Sequence, residues 1–304
     1  MKLYINDQFS ELASNRILSF KLIDNMGLSL DSLEITINNS DKAIAIPKEN
    51  AILELALKDV HNAEAEYKMG KFIAQYIDAT SNIIKIQAIS QDLSTARIRH
   101  NRVFKNKSLK EILQTLAADL DLRLQIDTTL SSNIINYYLQ EEKTSLEILG
   151  ELAEIYGAIA NIKDNNLIFI LKENVKKLEI AENTILSINK VDSLNKVYKG
   201  VQYKQWNFKT GQPEITCLGE EPFFVLKFKV DSSLENLYVN NAFKDRKVSE
   251  YINITLHGNA NIQAGFCIEI GAIYPDFTGK YLIEKVIHKY SSSYTSNILA
   301  VKII

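Results

Sequence analysis

The chain has 304 residues, more than one average domain contains, so two or three structural units are expected. Hydrophobic residues make up 46% of the chain and charged residues 24%, which is typical of globular proteins and excludes disordered and collagen-like classes. A formal net charge of −2 argues against a dedicated binder of duplex DNA, because phosphate contacts require an excess of Lys and Arg.

The sequence carries no signal for export or for membrane insertion. Its first residues become polar at once and contain no apolar core of about 7–15 residues, so no secretory signal peptide is predicted. No run of about 18 apolar residues could cross a bilayer. We therefore expect synthesis in a cytosol without membrane insertion, where Cys217 and Cys267 remain thiols.

The first hundred residues alternate apolar and polar side chains with a period of two, which predicts β-strands. The alternating runs lie at residues 18–22, 33–37, 53–57 and 84–88. Asn, Asp and Ser residues separate them as turn material. Gly70 is predicted to open a further strand around Phe72. Residues 1–103 are therefore predicted to form a β-meander or a β-barrel-like domain.

After residue 106 the period changes to that of a helix. Ser108 and Glu111 have the spacing of a capping box, in which each side chain binds a backbone N–H of the first turn. Apolar residues at helical spacing follow and predict a helix of about four turns. Thr144 and Glu147 repeat the box, and Gly157 is placed to end the second helix in the left-handed conformation.

The two helices are separated by an offset of 36 residues, which indicates an internal duplication. Under this offset Glu111 corresponds to Glu147, and Ile126 corresponds to Ile162. The second copy is predicted to close with a hairpin that turns at residues 163–166. Residues 104–190 are therefore predicted to form a small helix-bearing α+β domain.

Strand patterning returns near residue 197 and continues to the end of the chain. A hairpin over residues 201–217 is predicted to turn at Thr210 and Gly211. Further strands are predicted at residues 224–228, 252–256, 267–270, 281–290 and 296–304. Helix is limited to a turn or two near residues 240–248. The expected fold is mainly β, with two β-barrel-like domains, residues 1–103 and 191–304, flanking the α+β domain.

Motifs of enzymatic chemistry are absent, so no catalytic residue, no cofactor and no enzymatic activity are predicted. There is no P-loop, no G-x-S-x-G, no H-E-x-x-H and no G-x-G-x-x-G after a strand. The histidines lack the spacing of zinc ligands, so no metal site is predicted. His257 and His288 are expected to be half-buried strand residues or polar groups at an interface. Cys217 and Cys267 are expected to be small buried hydrophobes.

The densest run of positive charge joins the first unit to the first helix. It comprises Arg97, Arg99, His100, Arg102, Lys105, Lys107 and Lys110. A solvated face is the interpretation we favour, and contact of Arg97, Arg99 and Arg102 with an acidic partner subunit or phosphate is the alternative. Tyr137 and Tyr138 are candidate anchors for a neighbouring subunit, with one of the two expected to be packed.

Several residue runs carry a family resemblance across most of the chain. They lie at residues 25–28, 31–37, 68–72, 95–104, 108–113, 256–259, 264–265, 277–283, 286–288 and 293–295. In this order, with a helix-bearing unit between two β units, they resemble the phage late control gene D family. Its members are baseplate hub proteins of contractile tails.

The resemblance implies a structural protein in the baseplate of a virion, assembled in the bacterial host cytoplasm. It implies a homotrimeric ring that joins a sixfold tail tube, or its initiator protein, to a central spike. Because the chain stops at Ile304 without a repetitive β-helix, the spike is expected to be another polypeptide. DNA is expected to pass through without specific binding, along a bore depleted in Lys and Arg. The rival hypothesis is a soluble glycan- or peptidoglycan-binding module in which the middle unit recognises the glycan.

Overall fold

The computed structural model describes residues 1–59, 65–90, 94–192, 198–207, 210–226, 232–246, 250–271 and 274–303. The first β unit contains β1 (Lys2–Ile5), β2 (Gln8–Phe9), α1 (Glu11–Ser14), β3 (Ile17–Asn25), β4 (Ser32–Asn38), β5 (Ile52–Lys58), β6 (Glu66–Ala79) and β7 (Ile83–Ile89). The middle elements are β8 (Arg99–Ser108), α2 (Leu109–Asp119), β9 (Arg123–Ile126), β10 (Ile134–Thr144), α3 (Ser145–Tyr156), β11 (Ala158–Lys163) and β12 (Asn166–Leu171). The later elements are β13 (Lys177–Glu179), β14 (Ile185–Asp192), β15 (Gly200–Asn207), β16 (Gln212–Gly219), β17 (Phe223–Val225), α4 (Ser232–Arg246), β18 (Glu250–His257), β19 (Cys267–Ile270), β20 (Gly279–Tyr290) and β21 (Tyr294–Lys302).

The protein is mainly β, as predicted, and one large sheet runs through both β units. Its strand order is β14-β18-β21-β20-β3-β4-β7-β6-β5-β1-β2, with β19 pairing with the start of β20 and β13 pairing with β19. Neighbouring strands on the main path are antiparallel. The first and last thirds of the chain are therefore joined by strand pairing.

The strands predicted in the first hundred residues are confirmed, and their alternating apolar side chains face one core except for Leu18, which lies at the β3–β4 irregularity and is 46% exposed. Gly70, however, lies inside β6 and does not open it. The β5–β6 register shifts between Glu54 and Ala56, and at this irregularity Gly70 has a φ of +89°. A Cβ there would lie 3.1 Å from Asp164 Oδ1, so glycine also allows β6 to approach the middle unit.

Both predicted capping boxes are confirmed. The Ser108 and Thr144 side chains accept from the backbone N–H of Glu111 and Glu147, whose carboxylates accept from the cap N–H groups at 2.8 and 2.6 Å. Gly157 ends α3 with a φ of +63°. The first helix, α2, has 11 residues, about three turns, and is shorter than predicted.

The predicted repeat in the middle unit is visible as two strand–helix–strand segments. They are β8-α2-β9 and β10-α3-β11. Strands β8 and β10 pair with each other in a separate two-stranded ribbon, and β9 and β11 flank β12 in a three-stranded sheet. The β11–β12 hairpin turns at Asp164 and Asn165, which both have positive φ, as predicted from residues 163–166.

The prediction of at most two helical turns near residue 240 is wrong. Helix α4 spans 15 residues, and its buried members lie at helical spacing on one face. These are Leu234, Tyr238, Val239 and Ala242. The part of the prediction beyond residue 246, the predicted strand start at 197, the strand end at 228 and residue 304 lie outside the described residues.

Three main clusters of buried hydrophobic residues underlie the fold. One lies mainly in the first β unit, one mainly in the middle unit and one mainly in the final strands. The middle cluster also includes Val201 of β15 and the buried face of α4, while β14 pairs with β18 of the final unit. The division of the chain at residues 103 and 190 stays a prediction.

Candidate assembly interface

The two β units have the same five-strand topology. Strands β3, β4, β5, β6 and β7 of the first unit correspond in chain order to β14, β18, β19, β20 and β21 of the final unit. The strands lie side by side in the order β3-β4-β7-β6 in the first unit and β14-β18-β21-β20 in the final unit. In each unit the third strand, β5 or β19, pairs with the start of the fourth, β6 or β20. The chain therefore contains two copies of one β architecture.

Irregularities in strand pairing occur at equivalent places in the two units. The β3–β4 register shifts between Ile17 and Ser19, and the β14–β18 register shifts between Ile185 and Ser187, 168 residues later. The β6–β7 and β20–β21 registers shift at positions 209 residues apart, just before Tyr76 and Lys285. Residues 17–24 read Ile-Leu-Ser-Phe-Lys-Leu-Ile-Asp and residues 185–192 read Ile-Leu-Ser-Ile-Asn-Lys-Val-Asp.

One seam joins the two units inside the chain. The fourth strand of the final unit, β20, pairs antiparallel with the first strand of the first unit, β3. The register runs from Lys285 opposite Asn25 to Tyr290 opposite Phe20. This seam unites eight neighbouring strands in the order β14-β18-β21-β20-β3-β4-β7-β6.

The two ends of this eight-stranded region are open edges. Among the described residues, no strand pairs with the outer side of β14 or with the outer side of β6 after Ala74. Large apolar side chains are exposed there, namely Tyr76 on β6 and Leu186 and Val191 on β14. Unpaired edges of this kind pair readily with other strands.

The solvent-facing side of the eight strands carries charges of both signs. Lys21 lies opposite Glu34, and Lys85 lies opposite Asp78, in register across neighbouring strands. Lys289 faces Lys21 across the seam. This face carries lysines and carboxylates side by side, and the expectation of a bore depleted in Lys and Arg stays a prediction.

A buried ionic cluster ties the middle unit to the seam. Lys163 Nζ donates to Asp24 Oδ1, to both carboxylate oxygens of Asp31 at 2.6 and 2.7 Å, and to the carbonyl of Asn25 at 2.9 Å. Asp24 Oδ2 accepts from the backbone N–H of Ala264 at 2.7 Å. One lysine on β11 thus joins the end of β3 to the middle unit, and Asp24 extends the cluster to the final unit.

The environment of this cluster shifts the pKa values of Asp31 and Lys163. Burial raises the pKa of Asp31 to about 6, although Lys163 opposes the rise. Burial alone would lower the pKa of Lys163, but Asp24 and Asp31 raise it overall. Beside the cluster, the side-chain oxygen of Asn161 accepts from the backbone N–H of Gly27. Sequence inspection did not identify this site.

His288 and the cysteines differ in part from their predicted environments. His288 is fully buried, with Nδ1 3.0 Å from both Ser296 Oγ and Tyr294 Oη, and burial lowers its pKa to about 4. His257 is exposed. Cys267 is buried as predicted, whereas Cys217 is exposed on β16, so that prediction is wrong.

The predicted interface residues lie on and beside the β8–β10 ribbon. Arg97 and Arg99 are exposed, and Arg99 donates to the carbonyl of Glu142. Arg102 is half-buried and donates to Asp119 Oδ2 at 2.8 Å. These contacts give Arg99 and Arg102 a structural role within the chain.

The two predicted aromatic anchors differ in exposure. Tyr137 is exposed on β10. Tyr138 is buried, and its hydroxyl donates to Glu151 Oε2 at 2.7 Å. Its ring is therefore packed in the core and is not presented to a partner, as expected for one of the pair.

Neither a cluster of metal-ligating side chains nor a membrane-spanning helix is present in the described part of the chain. No group of three or more His, Cys, Asp or Glu side chains is arranged to hold a metal ion among these residues. No helix of the described ranges is long and apolar enough to cross a membrane.

The fold is that of phage tail proteins. The 43 kDa tail protein of prophage MuSo2 from Shewanella oneidensis superposes with a TM-score of 0.72 over 99% of this chain and 97% of that chain, at 10% identity. The c3393 protein of E. coli, described as a type VI secretion component similar in structure to the T4 tail proteins gp27 and gp5, gives 0.63 at 13% identity, covering 100% of this chain and 77% of that chain.

Two phage proteins resemble this chain in sequence. Probable baseplate hub proteins of Escherichia phage 186 and Escherichia phage P2 are each 25% identical to this chain over 160 residues. The match spans 52% of this chain and 41% of the length of each relative. No protein-family model matches. The predicted resemblance to phage baseplate hub proteins is thereby confirmed.

Proposed function

We propose that this chain is a non-enzymatic baseplate hub protein of a contractile phage tail or a related particle, and that three copies close into a ring. The observation that carries the proposal is the repeated topology, with an internal seam between the fourth strand of one unit and the first strand of the other. The open edges are the remaining fourth strand, β6, and the remaining first strand, β14. A second copy can therefore pair at these edges in the way that the units already pair inside the chain.

The internal seam predicts the register between copies. Residues of β3 map onto β14 by adding 168, and residues of β20 map onto β6 by subtracting 209. In the seam Ile287 lies opposite Ile23. Under this mapping, the equivalent contact between copies places Asp78 of one copy opposite Val191 of the next. Because each copy offers one edge of each kind, the contact is heterologous and closes only as a ring.

Three copies agree with the number of strands and units. Each copy supplies eight consecutive strands and two β units, so a trimer contains twenty-four strands and six similar units. Six similar units with threefold exact symmetry can contact a sixfold tube on one side and a threefold spike on the other. Ring closure also removes the exposed edges, which would otherwise favour aggregation.

The proposed partners follow from this arrangement and from the relatives. They are further copies of the chain, the tail tube or its initiator, and a separate central spike protein. The location is the virion baseplate, with assembly in the host cytoplasm. DNA passes along the axis without sequence-specific contacts, and the two β units enclose their cores as barrel-like domains.

Disulfide crosslinking tests the proposed register. In a Cys217→Ser background, which removes the exposed thiol, Asp78→Cys and Val191→Cys are combined and the chain is co-expressed with the neighbouring tail proteins. Directly opposed strand residues have Cα atoms about 4.5–5.5 Å apart, within the range that a disulfide bridges. We expect crosslinked dimers and trimers on oxidation.

The matched control moves one cysteine along the same strand. Asp78→Cys with Ser187→Cys separates the thiols by four strand residues, about 13 Å, which a disulfide cannot span. Equal crosslinking of both pairs, or monomers only in particles that contain the chain, would contradict the ring. Retention on purified peptidoglycan by a monomeric chain would instead favour the glycan-binding alternative, which stays a prediction.

A further inference from the structure

The β8–β10 ribbon has an unusually apolar outer face. Val103 lies opposite Leu139 and Lys105 lies opposite Tyr137, and the three apolar side chains among these are 47%, 43% and 44% exposed. Ile98, directly before β8, and Ile134, the first residue of β10, are also exposed. A concentration of exposed apolar side chains on two strands is typical of an interaction surface.

Both outer edges of the ribbon are also open. The sheet has only these two strands, and no other strand of the described residues pairs with either. Strand β8 has 10 residues, enough to template a complete additional strand. The ribbon therefore offers backbone donors and acceptors beside an apolar face.

The part of the ribbon formed by β8 is rich in positive charge. Residues 97–110, which include β8, contain six Lys or Arg residues and no Asp or Glu. Of these cations, Arg99, Arg102 and Lys107 contact carboxylates of the chain itself. Arg97, Lys105 and Lys110 form no ion pair with any residue that the structure describes, and all three are exposed.

The duplication shows that the fold does not require this charge. At the offset of 36 residues, Arg97, Arg99, Arg102 and Lys105 correspond to Asn133, Ile135, Tyr138 and Glu141. The second copy builds the same strand and the same capped helix without these cations. The exposed cations Arg97 and Lys105 are therefore not needed to form this strand or the capped helix that follows it.

We propose that the open edge of β8 docks an extended acidic segment of another tail protein, which pairs as a third strand of the ribbon. Backbone hydrogen bonds supply the pairing, and carboxylates of the segment neutralise Arg97 and Lys105. An apolar residue of the segment covers Val103. This surface lies on the middle unit and shares no residue with the edges proposed to close the ring.

A pair of synthetic peptides probes this edge in the intact chain. One decapeptide alternates Glu and Thr, and the other alternates Lys and Thr, both with blocked ends. We expect the Glu–Thr peptide to slow amide hydrogen exchange in β8, with the β14 and β6 edges unchanged. The Lys–Thr peptide should bind at least about tenfold more weakly, because like charges meet at Arg97 and Lys105.

Charge reversal distinguishes binding of the Glu–Thr peptide at the β8 edge from non-specific charge attraction between the peptide and the protein. Arg97→Glu with Lys105→Glu breaks no ion pair with a described residue and should weaken Glu–Thr binding about tenfold, because two attractive exposed pairs become repulsive. Lys48→Glu, an exposed change in a loop of the first unit, should alter binding less than about twofold.

Four results would overturn the proposal. They are equal binding of both peptides, absence of protection in β8 at millimolar peptide, insensitivity to the double reversal, and displacement of the peptide by a short DNA duplex at equal charge concentration. The last would assign the edge to phosphate. Because monomers suffice for this experiment, its result is independent of whether the ring forms.

Discussion

Replacing Lys163 by Met should destabilise the protein far more than an equivalent change at a surface pair. Lys163 is 24% exposed, and the Asp24 and Asp31 carboxylates that it contacts are each 10% exposed. Removing one partner of a buried ion pair costs about 3–5 kcal/mol, because the remaining charges stay buried without a counterion. Since Lys163 keeps some contact with water, we expect a loss of about 3 kcal/mol in the free energy of unfolding at pH 8.

The loss should depend on pH in a direction fixed by Asp31. Its folded pKa of about 6 lies above the unfolded value of about 3.9, so the unfolded chain releases this proton first as the pH rises. Ionisation of Asp31 therefore lowers stability between about pH 4 and 6, by about 3 kcal/mol. Without Lys163 the folded pKa of Asp31 rises further, and the window extends above pH 6. The deficit of Lys163→Met should be smaller at pH 5 than at pH 8.

Urea-induced unfolding followed by circular dichroism measures both quantities. Lys172→Met is the matched control, because Lys172 Nζ lies 2.6 Å from Asp245 Oδ2 and both side chains are 31% exposed. A pair this exposed contributes under about 1 kcal/mol, and its removal should cost the same at both pH values. Equal losses for the two variants, or a Lys163→Met deficit that does not change between pH 5 and 8, would refute the reasoning.

Three further changes test separate parts of the fold. Gly258→Ala should cost about 1–3 kcal/mol, because its Cβ would lie 1.9 Å from the Tyr294 ring; thermal unfolding measures the loss, and Gly150→Ala, whose Cβ would lie 3.9 Å from the nearest side chain, is a control for the added methyl. Between pH 6.5 and 4 the unfolded chain binds a proton at His288, whereas the buried imidazole, with a pKa of about 4, does not, so the free energy of unfolding falls by about 3 kcal/mol. His288→Gln should remove this fall, and parallel pH profiles of stability for the variant and the unmodified protein would contradict the prediction. Thr144→Ala should lower stability by about 1 kcal/mol in urea titrations through loss of the α3 cap, and no change would contradict the cap.

Local features of the middle unit could be predicted from the sequence because their causes are local. The Ser108 and Thr144 caps each depend on a residue three positions away, and Gly157 needs only its own freedom at positive φ. The strands of the first unit could be predicted for a similar reason, since burial on one face imposes the period of two.

The ionic cluster and the seam could not be predicted in this way. Lys163 lies more than 130 residues from Asp24 and Asp31, and no local rule brings a turn lysine to the end of a distant strand. Helix α4 was missed because its apolar residues are few and because the consecutive residues Leu237, Tyr238 and Val239 do not mark a single helical face. A signal for the repeated β unit was present in the likeness of residues 17–24 to residues 185–192.

The position of the ionic cluster favours separate tasks for the different surfaces of the chain. Asp24 lies on the internal seam, opposite Val286 of β20, so Lys163 anchors the middle unit where the two β units already meet. The open edges of β14 and β6 lie at the far ends of the eight strands and remain accessible. The β8 edge belongs to a separate two-stranded sheet, so a segment bound there does not compete with pairing between copies. In the proposed assembly, the chain can therefore close the ring and bind a further tail protein at the same time.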